Sequence, residues 1–255
     1  MGRRVNVDQV NGRMGEERYN TFGSKMIIID YRSARDVDVY FPQYNWVCNR
    51  EYSKFKNGSI KCPYEPRRYG VGYLGNEEDV TGSFEYMRWS EMLRRCYDVK
   101  YKNHKTTYMQ CEVCEDWHNF QTFKQWCLNN YYEVPNETMC LDKDILFKGN
   151  KIYSPDTCVF VPQNINSLFT KSDKARGDCP IGVSYDKNKN KYCSYCSDGH
   201  KKLVHLGYYT TLEDAFYSYK TYKECLIKQI ADQYKQFIPL KLYEAMYVYK
   251  VEITD

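Results

Sequence analysis

Two cysteine pairs and one lysine-rich stretch are the residues whose types and spacing could do chemistry. Cys111 and Cys114, and Cys193 and Cys196, stand at the separation at which two thiolates share a tetrahedral zinc, and His104 precedes the first pair by seven residues. The second pair falls in a segment that reads as a strand, where residues three apart point to opposite faces and cannot meet one metal without a bulge. No structural zinc is expected, and these thiols are read as small buried hydrophobes. Between residues 181 and 207, Lys187, Lys189, Lys191, Lys201 and Lys202 face only Asp186 and Asp198, with aromatic residues such as Tyr185 and Tyr195 interleaved. Each lysine can neutralise a phosphate and release a counterion, so this stretch is expected to meet nucleic acid.

The chain as a whole would not suggest that partner. Thirty-seven Lys and Arg against 33 Asp and Glu leave a net charge of only +4 over 255 residues, so affinity for a polyanion must come from local basic faces. A hydrophobic share of 42%, with 16% aromatic, is ample for folded cores. Twelve cysteines invite a disulfide reading, but Met1-Gly2-Arg3-Arg4 leads into polar residues and not a secretory segment. The thiols are therefore expected to be reduced and the protein cytoplasmic. The longest purely apolar run, Met26 to Ile29, is far short of a spanning helix, so no membrane partner is expected. Asn6 stands where a myristoylation signal at Gly2 wants Ser or Thr. The 27 tyrosines could stack on bases, but AT-rich codon usage accounts for them as well.

The elements that must position these groups follow from periodicity. Met26 to Tyr31 and Asp36 to Phe41 read as strands, the second alternating acid and apolar, so residues 1–80 form a small β unit. From Phe84 to Tyr97, Trp89, Met92, Leu93 and Cys96 share one face of a helix capped by Ser83. A second helix runs from about Phe120 to Asn129, capped by Asn119, with Phe120, Phe123, Trp126 and Cys127 inward. Ile181 to Tyr185, Lys191 to Ser197 and Leu203 to Leu206 read as three strands, the last ending at Gly207. Thr210 and Glu213 then open a long amphipathic helix carrying Leu212, Ala215, Phe216, Tyr219, Leu226 and Ile230. The class is α+β.

Ile181-Gly182-Val183, the lysine-rich hairpin, Leu206-Gly207-Tyr208-Tyr209-Thr210-Thr211, Glu213-Asp214-Ala215 and Tyr219 together resemble an AP2-type DNA-binding domain. The resemblance implies a three-stranded antiparallel sheet plus helix over 178–255, the sheet lying in the major groove of double-stranded DNA. It makes Tyr185, Lys187, Lys189, Lys191, Tyr195, Lys201 and Lys202 the candidate contacts. Such domains rely on arginines, whose planar fork matches guanine, and this sheet has none. Backbone contact with weak sequence preference is the expectation.

Tyr86 to Tyr97, then Val113-Cys114-Glu115-Asp116-Trp117, Leu141-Asp142-Lys143-Asp144 and Tyr153-Ser154-Pro155-Asp156-Thr157-Cys158, resemble phage HNH homing endonucleases. The resemblance implies a degenerate HNH-like module of ββα type over 81–172, and such enzymes often carry an AP2 domain. The segment Phe55 to Lys61 is similar to short β units that accompany HNH modules. In the active family one divalent metal, Mg or Mn, stabilises the leaving oxygen while a histidine activates water. Carried over by position, Asp142 falls at the first metal ligand, Lys143 at the general base, Thr157 at the middle Asn, and Asn166, or Asn164, at the last ligand. A lysine at 143 is protonated at neutral pH unless burial depresses it by several units, which leaves Asp144 or bulk water as the base. His104 and His118 lie far from Asp142 in sequence. The resemblance thus implies a DNA-binding protein with metal-dependent nicking or cleavage, or a catalytically silent DNA binder. A phage accessory protein that binds a host protein to block defence is the third expectation, its location then being the host cytoplasm.

Overall fold

The computed structural model describes residues 12–76, 80, 82–170, 179–199 and 202–255. Its N-terminal strands follow from simple alternation. In β3 (Asp36–Phe41) the side chains of Val37, Val39 and Phe41 are fully buried, while Asp36, Asp38 and Tyr40 between them are half-exposed. With β1 (Glu17–Tyr19), β2 (Lys25–Ser33) and β4 (Trp46–Arg50) it forms an antiparallel sheet in the order β1-β2-β3-β4. Met26 and Ile28 of β2, Cys48 of β4, Phe55 of α1 (Tyr52–Lys56), Ile60 and Cys62 close this core. The acidic positions of β3 have partners: Arg32 reaches Asp36 at 2.6 Å and Asp38 at 2.8 Å, and Asn49 donates to both at 2.7 Å.

The two expected helices form where their periodicity places them. α2 (Phe84–Tyr97) starts at Ser83, whose hydroxyl accepts from the Tyr86 amide at 3.2 Å, and it buries Trp89, Met92, Leu93 and Cys96. Asp98 then caps the short α3 (Val99–His104). After β5 (Glu112–Val113), Asn119 Oδ1 accepts from Gln121 N at 3.0 Å and starts α4 (Phe120–Asn130). Trp89 Nε1 donates to the Trp117 carbonyl at 2.7 Å, and Trp117 packs edge-on against Phe123 at 5.0 Å. A Cβ on Gly72 would lie 2.4 Å from Leu93 Cδ1 and 2.9 Å from Trp89 Cζ2, so a side chain there would force these two to move.

The chain divides into two compact units, residues up to 126 and residues from 127, so the boundary falls inside α4 and the stretch 81–172 contributes to both. In the second unit β6 (Met139–Asp142) pairs antiparallel with β8 (Val159–Pro162), Asp142 opposite Val159. The connection contains β7 (Ile152–Tyr153), and α5 (Gln163–Phe169) follows directly. Then β9 (Val183–Asp186), β10 (Lys191–Ser197) and β11 (Leu203–Tyr209) make an antiparallel sheet in the order β11-β10-β9. α6 (Leu212–Tyr234) serves two cores. Its first turns, with Ala215, Phe216 and Tyr219, cover Val183 and Cys196 of the sheet. Its later turns, with Leu226, Ile227, Ile230 and Ala231, pack on Val159, Val161, Ile165 and Leu168 and on Leu242 and Met246 of α7 (Leu240–Val248).

Three local readings change. The cap of α6 is Thr211 with Asp214, one residue later than Thr210 with Glu213: Thr211 Oγ1 accepts from the Asp214 amide at 3.1 Å and meets its carboxylate at 2.7 Å. β11 does not stop at Gly207. That residue takes φ 142°, a conformation side-chain-bearing residues avoid, and the strand bends there and runs on to Tyr209, whose hydroxyl bonds Ser218 Oγ at 2.8 Å. β4 and α7 were not anticipated. Among the described residues no disulfide is formed, and no helix is long and apolar enough to cross a membrane.

Candidate nucleic-acid interface and the Asp142 turn

The face of the three-stranded sheet turned away from α6 gathers Lys189, Lys191 and Tyr195 of the expected contacts. Asp186 shapes the β9–β10 hairpin, its Oδ1 accepting from the amides of Asn188 at 3.0 Å and Lys189 at 3.2 Å, while Asn190 takes the left-handed φ of 53° that asparagine tolerates. The turn sends Lys189 back across β10, where its Nζ sits 3.7 Å from the centroid of the Tyr208 ring. A hydrogen bond with Tyr208 raises the Lys189 pKa, so this ammonium stays charged. Lys191 stands opposite Asp186 in the register, and Lys187, Lys191 and Lys202 are exposed. Lys201 lies outside the described residues.

Between these lysines runs a strip of rings. Tyr195 lies 5.3 Å from His205 in an edge-on arrangement, and His205 lies 4.8 Å from Tyr208. Beneath them Cys193 is 1% exposed, with its Sγ 3.1 Å from His205 Nε2. A hydrogen bond with Cys193, then burial, pushes the Tyr195 phenol up to about 12, so it is neutral at physiological pH. Neither His205 nor Tyr208 was expected. Their signal is the pairing of β10 with β11, which sets Tyr195 opposite His205 and Cys193 opposite Tyr208. Because the rings are tilted onto one another and Lys189 covers Tyr208, they make a polar floor more than open stacking faces.

Tyr185 belongs to the other side of the sheet. It alternates with buried Val183, stands opposite Tyr192 with ring centroids 5.1 Å apart, and gives its hydroxyl to Asn190 Oδ1. Cys196 also faces the helix while Cys193 faces out, so the two thiols of this pair are on opposite faces. Burial pushes the Cys196 thiol up and the neighbouring Lys223 ammonium down.

At the end of β6 the chain turns on Asp142, whose Oδ1 accepts from the amides of Asp144 and Ile145, each at 2.8 Å. Burial of the carboxyl, with Asp144 beside it, pushes its pKa up to about 6 against the pull of those two amides and of Lys143. Lys143 is 6% exposed. Its Nζ donates to Asp144 Oδ2 at 2.8 Å and to the Asn150 carbonyl at 3.2 Å, and it faces the Tyr153 ring at 5.8 Å. Asn150 closes the loop from the other side, donating to the carbonyls of Lys143 and Ile152, both at 2.7 Å. Thr157 donates to the Ile152 carbonyl at 2.7 Å and shares a hydrogen bond with Ser154 at 2.9 Å.

Asn164 donates to Glu137 at 2.6 Å, which commits it to a structural contact. Asn166, half-buried on α5, has no side-chain hydrogen bond among the described residues, and neither does Asp142 Oδ2. In the N-terminal unit, His118 Nε2 pairs with the Tyr97 hydroxyl at 3.2 Å, and Cys111 contacts the Thr107 carbonyl at 3.7 Å. Among the described residues no three His, Cys, Asp or Glu side chains group closely enough to hold a metal ion. Asp142 Oδ2 is open to a further partner, and Lys143 beside it is engaged as a donor and offers no neutral base.

Comparison with family models, curated proteins and solved structures gives no match to this chain.

Proposed function

We propose that the protein binds double-stranded DNA through the outer face of β9, β10 and β11, by phosphate contact with weak sequence preference. The observation that carries this reading is Lys189 laid over Tyr208 in the Tyr195–His205–Tyr208 strip, with the exposed Lys187 and Lys191 in the same hairpin, on a sheet braced from behind by α6. Lysines can neutralise phosphates while the tyrosine hydroxyls and the imidazole add hydrogen bonds to phosphate oxygens. The sheet-and-helix arrangement agrees with the AP2-type resemblance of the sequence. The strand pair β6–β8 followed by α5 agrees with the ββα order expected of an HNH-like module. In this reading that module is a catalytically silent support, since its base position is filled by a buried, hydrogen-bonded lysine.

The test is fluorescence anisotropy of a labelled duplex across a salt series, for the wild type and for Lys187→Gln/Lys189→Gln/Lys191→Gln. Salt-sensitive binding that the triple variant loses supports the proposal. A wild type without measurable affinity for any duplex, together with stoichiometric capture of a protein, overturns it in favour of a protein-binding role. DNA cleaved with Mg²⁺ or Mn²⁺, and left intact by Asp142→Ala, overturns the silent-site part alone.

A further inference from the structure

Where α6 ends and α7 begins, the chain carries a surface of lysines laid on tyrosine rings, built without the lysine-rich hairpin. Along α7, Leu240, Tyr243 and Tyr247 follow at spacings of three and four and share one stripe, while Leu242 and Met246 are buried in the core. The two rings lie one after the other on that stripe, with centroids 5.2 Å apart and planes tilted by 32°. The cations come from α6 and its C-terminal end. Lys228 Nζ lies 5.4 Å from the centroid of Tyr247 and Lys235 Nζ 5.1 Å from that of Tyr243, so each ring carries its own ammonium.

The Tyr243 hydroxyl donates to Asp232 Oδ1 at 2.9 Å, which occupies that carboxylate and ties the ring to α6. Glu244 is the other exposed acid of this stretch. Lys228, Lys235 and the exposed Lys241 form no ion pair among the described residues. Tyr247 is 40% exposed, and Leu240 at the start of the stripe is exposed as well. The surface therefore offers charge that no acid of the chain pairs and a ring that the core does not cover.

An ammonium over an exposed ring is weakly held, and a nucleobase stacked on the same ring gains more. A base can take the place of the ammonium, which then turns to a phosphate and releases a counterion. Bases in a duplex are stacked on one another and offer no free face, whereas those of an unpaired strand do. We propose that this surface of α6 and α7 binds single-stranded nucleic acid, with Tyr247 as the stacking platform and Lys228 and Lys235 on phosphates. The two lysines are seven residues apart, about 10 Å along a helix, the rise of roughly three stacked nucleotides. Lysine is depleted at protein interfaces, so rings that carry lysines suit a polyanion better than a protein. Every base has a face to stack, and the binding is therefore indifferent to base identity.

The experiment is fluorescence anisotropy of a labelled oligothymidylate with the full chain carrying Lys187→Gln/Lys189→Gln/Lys191→Gln, so that the hairpin lysines do not contribute. This sheet variant is expected to bind the strand, and to bind a strand of equal length without bases at least tenfold more weakly. Adding Lys228→Gln/Lys235→Gln should cost at least tenfold in affinity and reduce the log–log salt slope by about 1.4, at about 0.7 per phosphate of a single strand. Adding Tyr247→Ala should cost about tenfold and leave the slope unchanged, an outcome that a merely charged patch would not give. Tyr247→Phe keeps the ring and should keep the affinity, and melting curves verify the fold of each variant. A sheet variant without affinity for the strand, equal affinity for the strand without bases, or an affinity that Tyr247→Ala does not change overturns the proposal. A protein captured stoichiometrically by the wild type and lost in Tyr247→Ala, with the strand still bound, overturns it in favour of a protein partner. Duplex binding lost in the sheet variant while the single strand is retained separates the two surfaces, so failure of either reading leaves the other standing.

Discussion

Lys143 Nζ lies 2.8 Å from Asp144 Oδ2, and its side chain is almost entirely enclosed by the loop it helps to close. A buried ammonium survives only with partners, and this one has a carboxylate, the Asn150 carbonyl and the Tyr153 ring. It is a strut of the Asp142 turn.

Removing the strut should cost stability and confer no activity. Lys143→Ala is expected to destabilise the protein by about 2 kcal/mol, less than the loss of a fully buried ion pair because Asp144 is partly open to water. Lys143→His should also be destabilised and should leave duplex DNA intact with Mg²⁺ or Mn²⁺. Urea unfolding and a plasmid-nicking assay measure both outcomes, and nicking by the histidine variant would show that the site needs only its base.

Asp142 sets a pH dependence of the opposite sign to the common one for carboxylates. Its folded pKa, about 6, is above the ordinary value of 3.8, so between these two values the native state holds the proton more tightly than the unfolded state. Stability contributed by this group is therefore greatest below pH 4, falls as pH rises towards 6, and remains lower above it. A shift of about two pKa units corresponds to an effect of about 3 kcal/mol at most. Asp142→Asn keeps an oxygen for the two turn amides and has no charge to bury. It is expected to flatten the pH 4 to 6 decline and to be more stable than the wild type at pH 7, as read from unfolding curves across that range.

The salt dependence of DNA binding should count the lysines of the sheet. If Lys187, Lys189, Lys191 and Lys202 each neutralise one phosphate, the log–log slope against salt is about −3.6, and affinity falls roughly a hundredfold between about 50 and 200 mM. Each Lys→Gln change at these positions should reduce the slope by about 0.9, whereas Tyr185→Phe, on the helix side of the sheet, should leave it unchanged. Slopes that do not move with these substitutions would place the DNA elsewhere on the chain.

How much of this was legible in the sequence depended on distance along the chain. The helix from Phe84 to Tyr97 and its Ser83 cap could be read because every interaction that defines them lies within one turn. Thr210 with Glu213 and Thr211 with Asp214 satisfy the same capping rule, and the sequence pattern does not choose between them. The role of Lys143 depends on Asn150, seven residues away across a loop with no periodic signal. His205 and Tyr208 join Tyr195 through strand pairing, which a reading along one strand does not supply. The buried hydrogen bond that the Asn20 amide donates to Glu65 Oε1 spans 45 positions.

The buried Cys193 offers a direct report on where DNA lies. Its thiol is covered by Tyr195, His205 and Tyr208, whereas Cys225 on α6 is exposed. In the wild type a thiol reagent should therefore modify Cys225 rapidly and Cys193 slowly, since reactivity needs both access and thiolate. His205→Ala removes the nearest cover while leaving the lysines in place, and should raise the rate at Cys193 at least tenfold. If the outer face of the sheet is the DNA surface, a saturating duplex should then protect Cys193 in this variant and leave Cys225 unaffected. Mass spectrometry of the labelled peptides gives both rates. Equal labelling of Cys193 with and without bound duplex would separate the DNA site from this face, even if the lysine variants bind more weakly.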